Sequence, residues 1–525
     1  MNRIHVLDCT LRDGGYCNEW RFGFDNARSI VNGLMEANVE IVECGFLTNK
    51  VKYDRDVAKY ETVEQVKPFI PNNREGKIFV IMMNFGEYNV EDLPPYDGTS
   101  IDGIRIAYHK KNRYEALDLC EKIKAKGYLV FIQAMVSLSY TDEDFLAMIR
   151  RVNEIEPYAF YIVDSFGMMK GKDLTRLFYM VEHNLKDNIW IGFHSHNNMQ
   201  LAYSNAQQLT NVQTSRNLII DSSIMGMGRG AGNLNTELFL GYLNENAGKA
   251  YNIKPLLIII DKILNNFYQR NYWGYSLPNY ISAAHYAHPN YAGYLDSKKT
   301  LTIEAMDEIF DMMDEDKKVS YNKDYIEDLY LKYQEKDTVQ EARLSDIKEM
   351  LKGKAVLMIA PGQSSIRERD KIVDFAQRED VVTISINYDY DETITDFLFF
   401  SNLRRYRDLP VEKKGKCIVT SNIPALDVYL QVRYKDLLNQ VESVRDNAGL
   451  MLAKLMLDFG MKKIYIAGMD GYSPNVDENY ADQKMNLFTE KKLAEDKNAG
   501  MSSVLKEYSK EAEIFFLTTP KFVII

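Results

Sequence analysis

Over roughly the first 245 residues, eight short apolar runs rich in β-branched residues alternate with longer segments of helical period. The runs are Ile4–Asp8, Glu40–Cys44, Ile78–Met83, Gly103–Ala107, Tyr128–Met135, Phe160–Asp164, Ile189–Phe193 and Leu218–Ser222. Helical stretches such as Glu115–Lys126, Asp142–Glu154 and Leu174–Asn184 lie between them. Such alternation specifies βα units and a parallel sheet. Eight units in this length match a (β/α)8 barrel, with an open doubly wound sheet as the rival on periodicity alone. The polar residues favour the barrel. Arg12 and Asp13, Glu43, Arg105 and His109, Asp164 and Ser165, His194 and His196, and Asp221 all fall at or just past the C-terminal ends of runs. A barrel gathers those ends on one face, whereas an open sheet spreads them along an edge.

The expected class is therefore α/β, in three parts. Residues 1–250 form a (β/α)8 TIM barrel and residues 251–345 a helical appendage or lid containing the aromatic stretch Asn271–Leu295. Residues 346–525 form a separate small doubly wound α/β domain of Rossmann type. A charged helix, Val339–Gly353, leads into that domain. Its strands are expected at Ala355–Ile359, Val381–Asn387, Phe397–Ser401, Cys417–Ser421, Ile464–Gly468 and Ile514–Thr518.

Composition narrows the function classes. The net charge of −11 argues against a surface that neutralises nucleic-acid or membrane phosphates, and no apolar run approaches the roughly 20 residues of a membrane span. Five scattered cysteines, none in a C-x-x-C pair, suit a reducing compartment and small buried side chains. A cytoplasmic location is expected, with no nucleic-acid partner and no membrane span.

His194-Ser195-His196 follows a strand, so in extended backbone both imidazoles point to one side, about 6 to 7 Å apart along the chain. In a closed barrel Asp13, after the first strand, faces the same mouth. Two neutral imidazoles and a carboxylate, with positions left for water or substrate, suit a catalytic divalent ion such as Mn, Mg, Co or Zn. Asn197 or Asn233 can add an oxygen. The run Gly226-Met-Gly-Arg-Gly-Ala-Gly232-Asn233 satisfies a dinucleotide fingerprint in form. The acidic residue at the required distance, Glu245, falls in or just after a helix with no following strand, so a glycine-rich turn close over a ligand is the better reading.

Leu7-Asp-Cys-Thr-Leu-Arg-Asp-Gly14, Val42-Glu-Cys-Gly45, Val163-Asp-Ser-Phe-Gly167, His194-Ser-His-Asn197 and Gly228-Arg-Gly-Ala-Gly-Asn-Leu-Asn-Thr-Glu237 stand in this order. In sequence and spacing they resemble the DRE-TIM metallolyases, which include 4-hydroxy-2-oxovalerate aldolase, HMG-CoA lyase and isopropylmalate synthase. The resemblance spans roughly residues 1 to 300. It implies that Asp13, His194 and His196 hold the metal, with Asn233 a fourth ligand as in the lyase. It also implies that Arg12 stabilises an enolate, that Glu43 completes the Asp-Arg-Glu set, and that Asp164 and Ser165 line the mouth. Arg105, Gly228 and Gly230 are expected on the substrate side. The implied chemistry makes or breaks a C–C bond through a pyruvate-like enolate, with a 2-oxo acid and an aldehyde as substrates.

Two departures matter. Gly14 is followed by Gly15 and Tyr16 rather than by the Glu-Gln of the synthase branch, which weakens an acyl-CoA-dependent condensation. Tyr16 also stands where the aldolases have a histidine base, and a phenol is a poor base near neutral pH. His109, His285 and His288 are the alternatives, and His285–Tyr291 reads as a lid over the mouth, with His288 the chosen base.

In the third part, Leu357-Met-Ile-Ala-Pro-Gly-Gln-Ser-Ser365, Ile384-Ser-Ile-Asn387 and Ile466-Ala-Gly-Met-Asp-Gly471 faintly resemble bacterial sialyltransferases and the archaeal 6-hydroxymethylpterin diphosphokinase family. That resemblance implies a nucleotide or nucleotide-sugar near Gly362, Ser364, Asn387 and Asp470. No histidine lies beyond residue 288, so a histidine base for transfer is lacking. The full expectation is a metal-dependent aldolase in surface polysaccharide or sugar biosynthesis, working as a homo-oligomer. The rivals are an acyl-CoA-dependent synthase and a degenerate barrel kept as a scaffold.

Overall fold

The computed structural model describes residues 3–335, 343–425, 427–486, 489 and 491–523. The chain forms two compact units, Met1–Gly293 with Asp314–Tyr321, and Tyr294–Met313 with Asn322–Ile525.

In the first unit eight parallel strands close on themselves: β1 (Ile4–Asp8), β2 (Ile41–Leu47), β3 (Ile78–Asn84), β4 (Gly103–Tyr108), β5 (Leu129–Ala134), β6 (Ala159–Asp164), β7 (Trp190–Ser195) and β8 (Leu218–Ser222). Each pairs with the next, and β1 pairs with both β8 and β2 (Leu7 opposite Asp221, Asp8 opposite Val42), which closes the ring. The strands read as continuous apolar runs because both of their faces are buried. Val6, Val42, Ile81, Ile104 and Ile132 pack outward under the helices, while Leu7, Ile41, Val80, Phe131 and Ile219 fill the lumen. A two-residue strand, Lys59–Tyr60, is added beside β2.

One lumen layer departs from the branched apolar filling usual in such barrels. Glu43, Arg105, Tyr161 and Asp221 come from β2, β4, β6 and β8, the alternate strands that supply one layer, and all four are buried. Tyr161 fits because its neighbour on β7 is Gly192, where a Cβ would stand 2.3 Å from the phenol ring.

The second unit holds an all-parallel sheet of seven strands: β9 (Ala355–Ile359), β10 (Val381–Ile386), β11 (Phe397–Phe400), β12 (Cys417–Thr420), β13 (Leu430–Val432), β14 (Lys463–Ala467) and β15 (Glu513–Phe516). The spatial order is β13-β12-β11-β10-β9-β14-β15, so the direction of winding reverses between β9 and β14. This is a doubly wound sheet with one strand more than the sequence predicts. The added strand has three residues, too few for its period to be read.

The division differs from the expected three parts. Helices do fill much of 251–345, including Lys254–Ile259, Leu277–Ala284, Ile303–Asp311 and Lys323–Gln334. The segment is not one appendage, however: residues up to Gly293 and Asp314–Tyr321 join the first unit, and the rest the second. Leu344–Leu351 is helical as predicted, while residues 339–342 of that predicted helix lie outside the described residues. Among the described residues no helix is long and apolar enough to cross a membrane. The five cysteines are free, and all but Cys17 are buried.

Candidate active site

The turn after β1 is tight. Cys9 O accepts both Arg12 N (3.0 Å) and Asp13 N (2.8 Å), which brings Asp13 over the barrel mouth. β7 delivers His194 inward, and His196, just past its end, pairs with Asn233 through the backbone. One donor atom from each of Asp13, His194 and His196 lies within 4.8 Å of the others, and all three residues are buried. Asp13 Oδ2 is 3.9 Å from His194 Nε2 and 3.7 Å from His196 Nδ1. The two imidazoles stand nearly perpendicular, with centroids 5.2 Å apart.

Several features fit this group to a divalent ion. His196 Nδ1 and Asn233 Oδ1 are buried with no hydrogen-bond partner, an arrangement that is costly unless a cation or donor satisfies it. Asn233 Nδ2 donates to Asp13 Oδ2 at 2.6 Å, fixing the amide beside the carboxylate. Burial pushes the His196 imidazole down to about 3, so it is neutral and able to ligate at physiological pH. Burial alone would raise the Asp13 carboxyl, but the Arg12 guanidinium and the two imidazoles hold it well below the usual carboxylate range.

His194 is oriented from behind. Its Nδ1 lies 2.9 Å from Asp221 Oδ2, so with Nδ1 as donor its Nε2 is the nitrogen left facing Asp13. Asp221 was not among the predicted site residues, although its place at the end of β8 was legible. Despite burial, Arg105 and His194 hold its carboxyl below the ordinary range.

Arg105 is corrected by the structure. Expected to meet substrate, it is 0 % exposed and sits in the lumen layer beneath the mouth. Its guanidinium pairs with Glu43 Oε2 (2.8 Å) and with Asp221 Oδ2, and lies 4.9 Å from the Tyr161 ring centroid. Being near a strand's end did not reveal its depth. Glu43 Oε2 also accepts Arg12 Nε at 2.8 Å, while Arg12 Nη1 reaches Asp13 Oδ1 at 2.9 Å. Arg12 Nη2 is buried without a partner, leaving a charged donor beside the candidate metal group.

The remaining predicted residues divide. Asp164 spends its carboxylate on the turn after β6, accepting Met168 N and Met169 N at 3.0 Å each, and burial raises it to about 7. It therefore orders that turn. Ser165 Oγ accepts Val136 N at 2.9 Å and its carbonyl accepts Arg229 Nη2 at 3.0 Å. A Cβ on Gly228 would stand 2.4 Å from Asn233 Nδ2 and 3.1 Å from Asp13 Oδ2, so glycine is needed for the loop to lie over the donor group. Gly230 has φ +65° against Asn198, whose Oδ1 accepts Ala231 N.

Tyr16 is 42 % exposed, edge-on to Trp20 and 5.6 Å below the Arg229 guanidinium. The surrounding protein pushes its phenol up, the reverse of what a base near neutral pH requires. His288 packs edge-on against Phe166, from the turn after β6, with centroids 5.5 Å apart. Its Nδ1 accepts Asn290 N at 3.2 Å, so Nε2 carries the exchangeable proton. Burial, then the charge of Arg229, lowers His288 to about 3. Arg229 also lowers His109, after burial and Lys111. Arg229, which faces Tyr16 and Ser165, was not among the predicted residues; its place inside the glycine-rich run was the available signal.

In the second unit, Gly362, Asn387 and Asp470 line a cavity at the C-terminal edge of the sheet, but Ser364 does not. Ser364 is fully buried, and its backbone N–H (2.7 Å) and its hydroxyl both bond to Asp470. The carboxylate thus fills the place at this turn predicted for a phosphate.

The HMGL-like family matches over residues 106–256. An oxaloacetate decarboxylase of Mycobacterium tuberculosis (strain ATCC 25618 / H37Rv) is 26% identical over 244 residues, 46% of this chain and 70% of that protein. A 4-hydroxy-2-oxovalerate aldolase of Geobacillus genomosp. 3 is 28% identical over 250 residues, 46% of this chain and 71% of that protein. Among solved structures, the N-terminal domain of a candidate aldolase from Bacteroides vulgatus shares 28% identity over 56% of this chain and 96% of its own, with a TM-score of 0.48.

Proposed function

We propose that this chain, an enzyme whose barrel carries the HMGL-like match, is a divalent-metal-dependent aldolase acting through a pyruvate-like enolate. The observation that carries the reading is the buried Asp13, His194 and His196 group with the unpartnered Arg12 Nη2 beside it. An ion held by these three residues and Asn233 would supply Lewis-acid stabilisation of the 2-oxo oxygen. The protein's own residues do the rest. Arg12, fixed by Glu43 and Asp13, donates Nη2 to the oxygen on which negative charge develops. A planar guanidinium does this from three separate nitrogens held in a rigid fork; an ammonium has its three N–H groups on one atom and cannot span the same three partners.

In the cleavage direction a base takes the proton of the 4-hydroxyl, the C3–C4 bond breaks, the aldehyde leaves, and C3 of the enolate is protonated to give the 2-oxo acid. His288 is the proposed base: it stands at the mouth against Phe166, and its unprotonated Nδ1 would release Asn290 N to take the substrate proton. Tyr16 and Arg229 lie against each other nearby and would hold polar groups of the substrate.

Decarboxylation of a 2-oxo diacid passes through the same enolate, and the mycobacterial relative's name makes it the second reading. The finer reading adds a cytoplasmic homo-oligomer and a nucleotide or nucleotide-sugar ligand for the second unit, with the product directed to sugar or surface-polysaccharide synthesis. The test is deuterium exchange into the pyruvate methyl group, followed by NMR with added Mn2+. The wild type is expected to exchange only with metal, and an Asp13→Asn, His194→Ala double variant not at all. Metal-independent exchange, or equal exchange by the double variant, would overturn the proposal. Strict dependence on an acyl-CoA would move the enzyme to the synthase class.

A further inference from the structure

The second unit's cavity lies where the winding of the sheet reverses, between the ends of β9 and β14. In open α/β sheets the loops part at this point and leave a crevice for a ligand. Here they first cross closely: Gly362 N donates to Gly468 O at 2.8 Å, and a Cβ on Gly468 would stand 2.0 Å from Ala360 O. Beyond the crossing the cavity widens.

Its charges are unevenly compensated. Of four cations on its wall, Lys298 pairs with Glu327 (2.8 Å) and Lys299 with Asp296. Among the described residues, Arg405 and Lys497 have no carboxylate within ion-pair distance. Arg405 spends two donors on backbone carbonyls, Lys484 O (3.3 Å) and Met485 O (2.8 Å), and Lys497 rests over the Tyr472 ring at 5.0 Å. Burial lowers both groups, partly offset for Lys497 by Asp446, which lines the same cavity with Asp470. The helix Ala448–Asp458 opens onto the same cavity through Ala448 and Gly449. Its cap, Asn447, accepts Leu450 N, which leaves the first helical N–H groups and the positive end of the helix dipole directed toward the cavity. The Met469 side chain lies close over Gly449, its Cε 2.3 Å from where a Cβ would stand.

We propose that this cavity binds a phosphate-bearing small molecule of nucleotide size, with its phosphate end held by Arg405, Lys497 and the N-terminus of the 448–458 helix. The anion site lies there, not at the Gly362–Ser364 turn, which Asp470 already fills. This deepens the nucleotide reading of the second unit and rests on it for the part of the ligand beyond the phosphates.

Calorimetric titration of the full-length protein with pyrophosphate and with ADP, CDP, GDP and UDP tests the proposal. Binding by pyrophosphate, and at least tenfold tighter binding by one nucleoside diphosphate, is expected. Lys497→Gln and Arg405→Gln should each weaken binding tenfold or more, and Lys497→Arg should stay within threefold, with unfolding curves confirming that each variant folds. If pyrophosphate binds with this charge dependence and no nucleoside improves it, the anion site stands and the nucleotide reading falls. Nucleotide binding that both Gln variants leave unchanged would overturn the anion site while sparing the nucleotide reading. No binding by any probe at millimolar concentration would overturn both.

Discussion

Replacing Asp221 by Asn tests whether the buried polar layer of the barrel serves the mouth above it. One oxygen, Asp221 Oδ2, lies 2.9 Å from His194 Nδ1 and also pairs with Arg105 Nη2. An Asn is isosteric and keeps an acceptor, but it removes the charge. Arg105 would retain only Glu43, itself shared with Arg12. Stripping one partner from a buried ion pair costs about 3–5 kcal/mol, and the retained hydrogen bond places the expected loss near the lower end, about 3 kcal/mol. At the mouth, His194 loses the carboxylate that fixes its tautomer, a change that typically weakens metal binding 10- to 100-fold, or about 1.4–2.8 kcal/mol. Urea unfolding of the metal-free protein reads the first effect and calorimetric titration with Mn2+ the second. Both should move. A Mn2+ affinity within twofold of wild type would refute the link from Asp221 to His194, even if the unfolding midpoint fell. An unchanged midpoint would refute the coupling of Arg105 to the layer.

Arg12→Lys retains charge and three donors but gathers them on one nitrogen, which cannot span Glu43, Asp13 and the substrate oxygen; kcat for enolisation is expected to fall 10²- to 10³-fold, with Mn2+ affinity changed only a few-fold. A larger loss of affinity than of kcat in steady-state kinetics and titration would contradict the assigned role. Gly228→Ala forces a methyl group against the Asn233 amide and Asp13, so Mn2+ affinity should drop at least tenfold by titration, and an unchanged value would show that the loop yields freely. For pH, the folded value of His288 is depressed to about 3 from 6.5. The neutral ring's contribution to stability is complete above pH 6.5 and is lost as pH falls toward 3, by about 2 kcal/mol after allowance for the ring's partial exposure. His288→Gln should flatten that part of the stability–pH curve, and an undiminished acid slope would show that other groups cause it.

The barrel was legible because each of its strands is buried on both faces and so carries an unbroken apolar run, while the intervening helices keep their own period. Asp13, His194 and His196 were legible for a related reason: residues just past strand ends converge in a closed barrel whatever the loops do. Depth was not legible. Arg105, three residues from the end of β4, and Asp221, one residue from the end of β8, both fall in the lumen layer, and only the stagger of the closed sheet determines this. The Asp164 carboxylate looked available because the groups that donate to it are the backbone N–H of Met168 and Met169, which carry no sequence signature. In the second unit the strand-and-turn pattern predicted the sheet. The filling of the Gly362–Ser364 turn, however, depends on Asp470, more than a hundred residues away in sequence. The division of 294–321 between two units follows from packing alone, since its helices have ordinary amphipathic patterns.

The proposed chemistry depends on Asp13, His194 and His196 together holding a divalent ion. Anomalous diffraction from crystals soaked in Mn2+, collected on both sides of the manganese edge, tests it most directly. One strong peak is expected within bonding distance of Asp13, a nitrogen of each of His194 and His196, and Asn233 Oδ1. A peak elsewhere in the barrel, or none at a concentration that saturates Mn2+-dependent enolisation, would contradict it.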